Sequence, residues 1–369
     1  MDSAPDQSKP ELNLSAETQL LSSYEQFIAR IRRAKESGSP LNIVGGGSKQ
    51  FYGRSIEGEQ LDTRGYCGIV EYEAAELVIT VRAGTRLVEV ERTLAEQGQM
   101  LAFEPPHFGA ESTIGGVIAA GLSGPRRPYA GAVRDAVLGT TVMDSNGEAL
   151  NFGGQVMKNV AGYDVSRLMT GAMGTLGLLL AISVRVGPRP QAEHTAVWEM
   201  TAATAHKRMV EIAQQPLPIT AMSFDGKYFR ARIAGHMSAV AEAEVSLAPD
   251  SIESDSYWSE LRDQTLPFFR SEDPLWRLSV PPASASVDIE GEWLWDWGGA
   301  CRWLRCSAPA ARIRSLASAA GGHATLFRGA DNDSPFTPLD RASLRIHQRL
   351  KDTFDPDRIF NPGRMYADI

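Results

Sequence analysis

Apolar residues recur at helical spacing near the start of the chain. Between residues 22 and 38 they form one stripe, which consists of Tyr24, Phe27, Ile28 and Ile31. Ser23 and Gln26 have the spacing of a capping box, and Gly38 is typical of a helix end. The pattern therefore predicts a helix over 23–38, followed by a short β-branched strand at 41–44.

Strand-like runs then alternate with helical segments. Residues 76–84, ELVITVRAG, predict a strand, and the helix after it runs to Gly98 with Thr85 as its expected N-cap. A hairpin is predicted over 137–152, with Asn146 and Gly147 in its turn.

Glycine and proline punctuate the middle of the chain. Residues 162–190 predict a short helix, a glycine-bearing turn and a buried strand that ends at Pro188 and Pro190. We place a domain boundary at these prolines. Strand-like and helix-like pieces follow, and residues 341–369 predict an amphipathic helix and a loop punctuated by proline.

Composition and charge narrow the class of protein. The chain has 369 residues, 43% hydrophobic and 22% charged, enough for two or three ordinary globular domains. Its first twenty residues lack the apolar run of a signal peptide, and no run approaches the roughly 18 to 20 apolar residues of a membrane span. We therefore expect a cytoplasmic protein. The formal net charge of −8 argues against a general nucleic-acid binder, because phosphate backbones need a basic surface.

The three cysteines fit a reducing compartment. Cys301 and Cys306 have four residues between them and no cysteine follows, so this chain alone lacks the ligands of a zinc or iron–sulfur site. We therefore predict that the chain holds no metal.

The first candidate for chemistry is the glycine run at 45–47, directly after the first predicted strand. The order Gly47-Ser48-Lys49 does not match a Walker loop. Gln50 stands where a dinucleotide fingerprint needs its third glycine. Two interpretations stay open: a plain turn, because glycine reaches positive φ easily, or a nest of bare amides around a diphosphate, helped by Ser48 and Lys49.

Three more segments are rich in glycine or proline. They are FEPPHFGAESTIGGVIAAGLSG at 103–124, KNVAGYDVSRLMTGAMGTLG at 158–177 and FDPDRIFNPGRM at 354–365. Small residues let a backbone approach a flat ligand closely, although tight helix packing explains any single glycine equally well. Together the segments indicate one extended ligand that is contacted from several elements.

Three further stretches belong with these segments: VGGGSKQFYGR, VRDAVLGTTVMDSNGEAL and GGHATLFRG. In order and spacing, all of them together resemble the PCMH-type FAD-binding family of vanillyl-alcohol oxidase and p-cresol methylhydroxylase. Within it, they resemble the E subunits of bacterial glycolate oxidases. The resemblance implies an α+β fold. A flexible N-terminus at 1–20 would precede an FAD-binding domain of two α+β subdomains at 21–190. A smaller α+β substrate or cap domain would span 191–335, and 336–369 would return to the FAD-binding domain.

The resemblance also implies which residues hold FAD. The loops around the pyrophosphate and flavin would contain Val44, Gly45, Gly46, Gly47, Ser48, Lys49, Pro105, Ser112, Thr113, Ile114, Gly115, Gly116, Gly121 and Ser123. The isoalloxazine or adenine ends would be bordered by Gly162, Tyr163, Asp164, Gly174, Thr175 and Gly177, with Asn361 reaching back toward the ring. Glycine in the first loop would then have a physical reason, since bare N–H groups neutralise a diphosphate and β-carbons would push it away.

Two departures from the family pattern concern chemistry. Many relatives attach the flavin through a histidine after the first glycines, whereas this chain has none there, so we predict non-covalent FAD. The sister D subunits and D-lactate dehydrogenases carry a histidine cluster that the six histidines here do not form. The best catalytic candidates are His323 near the flavin and Arg328 as a carboxylate clamp. The alternative is a structural histidine and a surface arginine.

Trp293, Trp295 and Trp297 alternate, so in a strand all three would share one face. That face is either the buried side of a sheet or an exposed patch for a partner subunit. The buried side is favoured, because it explains the pattern without a partner.

The resemblance implies an FAD-dependent oxidoreductase subunit of a glycolate oxidase, which oxidises glycolate or a related 2-hydroxy acid to the 2-oxo acid. Its partners would be the sister FAD-binding D subunit and the iron–sulfur F subunit, with membrane association only through partners. Two alternatives stay open: a self-sufficient FAD oxidase of another alcohol or hydroxy acid, and a non-catalytic nucleotide-binding scaffold subunit.

Overall fold

The computed structural model describes residues 14–154, 164–253, 256–329 and 334–369, and only the backbone of 14–16. The helices are α1 Leu14–Ser37, α2 Leu87–Glu96, α3 Ile114–Ala120, α4 Arg127–Ala130, α5 Val133–Ala136, α6 Val165–Met169, α7 Ala202–Ala213, α8 Met237–Leu247, α9 Ser256–Asp263, α10 Ala310–Ala319 and α11 Arg341–Phe354. The strands are β1 Leu41–Val44, β2 Glu59–Asp62, β3 Ile69–Glu73, β4 Val78–Arg82, β5 Gln99–Met100, β6 Val137–Met143, β7 Ala149–Gly153, β8 Leu178–Arg185, β9 Gly187–Pro188, β10 Ala192–Glu199, β11 Ile219–Phe224, β12 Tyr228–Gly235, β13 Ser251–Glu253, β14 Leu275–Ser279, β15 Glu292–Asp296, β16 Cys301–Arg305 and β17 His323–Arg328.

An antiparallel five-stranded sheet in the order β3-β4-β8-β6-β7 forms the first core. Alternate residues such as Ile79 and Ile182 point to the face that α2 and α3 cover. On α2 the buried residues are Leu87, Val90 and Leu94, which is the spacing of one helix face. This packing fixes the start of α3 beside the end of β4.

The C-terminal segment lies beside the strand that leads into the glycine run. β1 and β2 pair in parallel, and Phe360 bridges to Leu41. The apolar stripe of α1, including Phe27 and Ile31, packs against the same unit. Residues more than 300 positions apart in the printed sequence therefore meet at β1.

A second, antiparallel sheet has the order β13-β10-β12-β11-β15-β16-β14-β17. Helices α7, α8 and α10 cover one face. The other face carries Trp303 and Phe327, which pack against Tyr52, Leu122 and Met173 from the first half of the chain. The candidate site lies on this side of the sheet.

Two predicted helix caps are wrong. Helix α1 begins at Leu14, so Ser23 lies inside it and its Oγ donates to Gln19 O at 2.9 Å. Helix α2 begins after Arg86, and Thr85 Oγ1 donates instead to Arg82 O at 2.8 Å. In both cases the hydroxyl finds a nearby carbonyl, which competes with capping.

The shared face of the three tryptophans is also corrected. β15 ends at Asp296, and Trp297 has a left-handed φ of +52°, so it leaves the strand alternation. Trp295 packs under α7 and α8, whereas Trp297 packs on the opposite face with Leu294. Trp295 and Trp297 are each 8% exposed and Trp293 is half-buried, which favours the buried interpretation over an exposed patch.

Several sequence predictions are confirmed. Residues 137–152 form the hairpin of β6 and β7, and Gly147 has a left-handed φ of +79° in its loop. The helix, turn and buried strand of 162–190 correspond to α6 and β8 within the described residues, and α11 is the predicted C-terminal helix. The mixture of helices and antiparallel sheets is the predicted α+β class. Within the described ranges, no helix has the length and apolarity to span a bilayer.

Candidate functional site

A cavity of about 230 Å³ opens beside the glycine run, bounded by β1, α3 and the C-terminal segment. It is lined by residues 42–50 and by Tyr52, Ser55, Ile56, Thr113, Gly116, Ala119, Ala120, Met173, Asn361 and Arg364. A second cavity of about 70 Å³ shares part of this lining and extends to Gly115, Gly174 and Gly177. The structure thus brings together residues from all the glycine-rich segments whose positions it describes.

The backbone of the glycine run lines the larger cavity with unpaired donors. The amides of residues 45–49 donate no hydrogen bond to any residue that the structure describes. Gly47 has a left-handed φ of +69°, which turns the chain within the run. A concave row of unpaired amides carries partial positive charge, so it suits an anion such as a diphosphate.

Two of the three glycines are required by a neighbouring loop. A Cβ on Gly46 would overlap the Glu111 carbonyl oxygen, and one on Gly45 would collide with Thr113 Oγ1. A Cβ on Gly47 would meet Gln50 Cδ at 3.9 Å and otherwise open space. We expected glycine here because β-carbons would push a diphosphate away. At positions 45 and 46 the structure gives a different reason, since β-carbons there would collide with the neighbouring loop. There glycine lets two loops stack, and the stack forms the cavity wall.

Lys49 joins these two loops. Its Nζ donates to Ser112 Oγ at 2.8 Å, and to Ser48 Oγ and His107 O at 3.2 Å each. Burial lowers the pKa of Lys49 from 10.5 to about 8, and the charge of Asp263 opposes that shift. A positive charge that is poorly hydrated therefore lies beside the unpaired amides.

Thr113 starts α3 at the cavity wall. Its Oγ1 accepts a hydrogen bond from Gly116 N at 3.2 Å. Gly115 packs closely on β4, because a Cβ there would lie 2.8 Å from Ala83. Beyond the cap, Gly116, Ala119 and Ala120 line the cavity without a bulky side chain.

Asn361 connects three segments at the edge of the cavity. Its Oδ1 accepts a hydrogen bond from Ile43 N at 2.7 Å, and its Nδ2 donates to Met173 O at 2.7 Å. The amide of Asn361 therefore holds β1 to the turn before β8. Asn361 lines the cavity, but both ends of its side chain are already bonded to protein.

A buried ion pair anchors Asn361. Lys351 Nζ lies 2.6 Å from Asp355 Oδ2, and both side chains are fully buried. The same Nζ donates to Thr175 O and Phe360 O, each at 2.7 Å. Asp355 in turn accepts hydrogen bonds from the amides of Ile359 and Phe360. Helix α11 thus positions the loop that carries Asn361.

Several residues predicted to bind the cofactor lie behind the wall or elsewhere. Pro105, Ser112, Ile114 and Thr175 are buried and line neither of the two cavities. Gly121 lies against Gly171, since a Cβ would be 2.9 Å from the Gly171 Cα. Asp164 caps α6 by accepting from Arg167 N at 3.1 Å. Gly162 and Tyr163 lie outside the described residues.

The two catalytic candidates lie at opposite ends of β17. His323 begins the strand and Arg328 ends it, so roughly 16 Å of strand separates them. The Arg328 guanidinium lies 4.6 Å from the centre of the Phe51 ring, and burial lowers its pKa to about 10. Burial, and then the charges of Arg277 and Arg127, lower the pKa of His323.

Sequence reasoning missed Arg277, whose charge acts on His323, and Asp296 in the same sheet. Arg277 of β14 and Asp296 at the end of β15 line a cavity of about 20 Å³ together with Ser123 and Trp297. Burial raises the pKa of Asp296 to about 7, although a hydrogen bond from Trp297 N opposes this shift. The motif WDWGG is a signal for Asp296 at a strand end, but a lone arginine inside a strand gives no signal.

The cysteines predicted not to form a metal site lie in different clusters. Cys301 is buried on the face of the second sheet that packs against Tyr52, whereas Cys306 packs with the cluster under α10. Within the described ranges, no three His, Cys, Asp or Glu side chains are grouped as metal ligands.

The comparisons with known proteins agree with this geometry. A family model described as an FAD binding domain matches residues 19–153. Glycolate oxidase subunit GlcE of Escherichia coli is 46% identical over 347 residues, which are 94% of this chain and 98% of that protein. Glycolate oxidase subunit GlcD of Bacillus subtilis is 34% identical over 154 residues, 41% of this chain and 33% of that protein.

A solved structure shows the same fold at low identity. Alkyldihydroxyacetonephosphate synthase superposes with a TM-score of 0.64 at 15% identity, and the match covers 92% of this chain and 74% of that one. At this identity the likeness concerns the fold alone, whereas the match to GlcE extends along nearly the whole chain. The chain therefore belongs to the GlcE family of glycolate oxidase subunits, within the PCMH-type FAD-binding proteins.

Proposed function

We propose that this chain is the FAD-binding subunit of a glycolate oxidase and that it holds the FAD pyrophosphate in the cavity beside the glycine run. The chain belongs to a family of FAD-dependent oxidoreductases. The observation that carries the assignment of the site is the row of unpaired amides at 45–49. Phosphate oxygens accept hydrogen bonds from such rows, and a nearby lysine adds charge.

The residues present fit FAD. The amides of 45–49, with Ser48 and Lys49, would hold the pyrophosphate. The wall formed by Gly116, Ala119 and Ala120 offers a flat surface for the rest of the cofactor. Asn361 would border the cofactor, because it lines the same cavity. Its side chain also holds the backbone of β1 and of the turn at 173–174 in place. When bound, FAD supplies the hydride-accepting chemistry, while the protein positions it.

Non-covalent attachment is part of the proposal. The structure brings His107 close to the glycine run, since its carbonyl accepts from Lys49 Nζ at 3.2 Å. The His107 ring is turned elsewhere, with Nε2 lying 2.9 Å from Glu91 Oε2. No histidine ring therefore lines the larger cavity among the described residues.

The substrate and the electron acceptor are further steps of the proposal. Glycolate or a related 2-hydroxy acid would be oxidised to the 2-oxo acid, supported by the names of the GlcE and GlcD relatives. Electrons would pass to an iron–sulfur F subunit, because the three cysteines here are too few for a cluster. A sister D subunit would complete the assembly.

The proposal includes the division into domains. Residues 21–190 with the returning segment 336–369 would form the FAD-binding domain, and 191–335 the substrate or cap domain. The strands of the second sheet all lie between Ala192 and Arg328, and the bridge from Phe360 to Leu41 supports the returning segment.

The test is the absorbance spectrum of purified protein, followed by anaerobic addition of glycolate with and without the D and F subunits. We expect a flavin spectrum with about one FAD per chain that bleaches with glycolate in the assembly. A colourless chain that cannot be reconstituted with FAD would support the scaffold alternative. Bleaching and steady turnover by the isolated chain would support the self-sufficient oxidase.

A further inference from the structure

Two arginines on facing elements share one space, and neither forms an ion pair within the part of the chain that the structure describes. Arg127 begins α4, and Arg277 is the middle residue of β14. Both are partly buried. Burial, and then the charge of Arg277, lower the pKa of Arg127. Asp296 lines the same small cavity as Arg277, but burial raises the pKa of its carboxyl to about 7, so it is a weak counter-charge. Charged groups removed from water are normally paired, so two neighbouring cations without an ion pair are unusual.

Aromatic rings hold both guanidinium groups in place. Arg127 lies 4.3 Å from the centre of the Trp297 ring, and Trp297 Nε1 donates to Gly124 O at 3.0 Å. Arg277 Nη2 donates to Tyr52 Oη at 3.2 Å, and its guanidinium lies 5.6 Å from the Phe327 ring centre. Ring faces orient a cation without neutralising it, so the positive charge stays available to a ligand.

His323 belongs to the same face of the sheet. Ser279 pairs with both His323 and Cys301, and Arg277 is two residues before Ser279 on β14. Residues two apart on a strand share a face, so His323 lies on the neighbouring strand β17, on the same face as Arg277 and displaced from it by two residues along the strand. A neutral imidazole there can exchange a hydrogen bond with a hydroxyl group.

The arginine pair also adjoins the larger cavity. Tyr52, which accepts the hydrogen bond from Arg277, is one of the residues that line that cavity. On the other side, Arg277 and Trp297 line the cavity of about 20 Å³, which has room for little more than one water molecule.

We propose that Arg127 and Arg277 form a binding site for the carboxylate of a small acid, with His323 next to the remainder of that acid. The assignment of this acid as the substrate rests on the proposed function, whereas binding itself does not. A carboxylate would supply the missing negative charge, and the fork of a guanidinium matches its two oxygens. Arg328, at the far end of β17, takes no part in this site.

The test is titration of the full chain, loaded with FAD, with oxalate as a two-carbon acid that carries no oxidisable hydroxyl. Calorimetry and the shift of the flavin absorbance report binding. We expect Arg127→Met and Arg277→Met each to weaken oxalate binding by about tenfold or more, as for the loss of one charge-assisted contact. Arg134→Met is the matched control, because Arg134 is nearby but 67% exposed, and it should bind oxalate as the wild type does.

The outcomes separate this inference from the proposed function. A chain that carries FAD but binds no oxalate at millimolar concentration overturns the inference and leaves the FAD site intact. A chain without FAD contradicts the proposed function, while calorimetry still reports oxalate. Equal competition by chloride, or equal loss in all three variants, overturns the carboxylate site. If Arg127→Met does not fold, Arg127→Lys should fold and bind with a smaller loss, because it keeps the charge but not the fork.

Discussion

Gly46 packs so closely on Glu111 that a single added methyl group would overlap the Glu111 carbonyl oxygen. The obstacle is backbone, so it cannot rotate away as a side chain would. This contact stacks the glycine run on the loop before α3, and the unpaired amides are part of the wall that results.

We expect Gly46→Ala to lower the free energy of unfolding by about 2–4 kcal/mol and to abolish FAD binding, because the two loops must separate. Gly47→Ala is the comparison: it meets open space but has a φ of +69°, so it should cost about 1–2 kcal/mol. Urea denaturation and FAD titration measure both effects. Equal stability losses in the two variants would contradict the stacking argument.

The buried Lys351 should be needed for stability. Lys351→Met leaves Asp355 without its counter-charge at a fully buried position, and we expect a loss of about 3–5 kcal/mol in the free energy of unfolding. Arg345→Met, on the exposed side of the same helix, should change it by less than about 0.5 kcal/mol. A small effect at Lys351 in chemical denaturation would show that the pair does not anchor the C-terminal segment.

The sequence predicts elements well where the pattern is local and regular. The hairpin at 137–152 and helix α11 follow from alternation, a turn dipeptide and helical spacing, and both form as predicted. The glycine-rich segments also meet at the cavity, because glycine marks positions where the backbone has no room for a side chain. Gly45 and Gly46 are examples, although the atoms that leave no room belong to another loop, which the sequence does not show.

The remaining errors have tertiary causes. Ser23 has the residues of a capping box, but the helix continues back to Leu14 and absorbs it. Trp297 breaks the alternation because of its left-handed φ, which no alternating pattern shows. Arg277 becomes a candidate only when β14 packs against Tyr52 and faces Arg127, contacts between residues that are distant in sequence.

Trp295 should be a core residue. It is 8% exposed and packs with Phe224 at a ring-centre distance of 5.5 Å. We expect Trp295→Ala to lower the free energy of unfolding by about 3–5 kcal/mol, by removing buried area and leaving a cavity. Trp295→Phe should cost less, since it keeps one ring. A folded Trp295→Ala chain of unchanged stability that fails to assemble with partner subunits would instead support an interface.

The proposed attachment of FAD predicts release by acid. Precipitation of the protein in acid should leave the yellow flavin in the supernatant. His107 is the histidine nearest the glycine run in sequence, and its carbonyl accepts a hydrogen bond from Lys49, but its ring is directed to Glu91. Absorbance of the supernatant and of the redissolved pellet measures the partition. Flavin that stays on the polypeptide would mean a covalent bond. His107→Ala would then show whether this histidine forms it.

Lys49 predicts opposite pH dependences for folding and for FAD binding. Its pKa is about 8 in the folded chain against 10.5 ordinarily, so between these values the unfolded chain binds more protons. Stability of the FAD-free chain should therefore rise with pH across this window. The FAD phosphates favour the protonated amine, so FAD affinity should fall above about pH 8, by at most about tenfold per pH unit. FAD titrations and urea denaturation at several pH values, compared with Lys49→Met, isolate this residue from other groups that titrate. Parallel curves for wild type and Lys49→Met would show that Lys49 does not sense the phosphates.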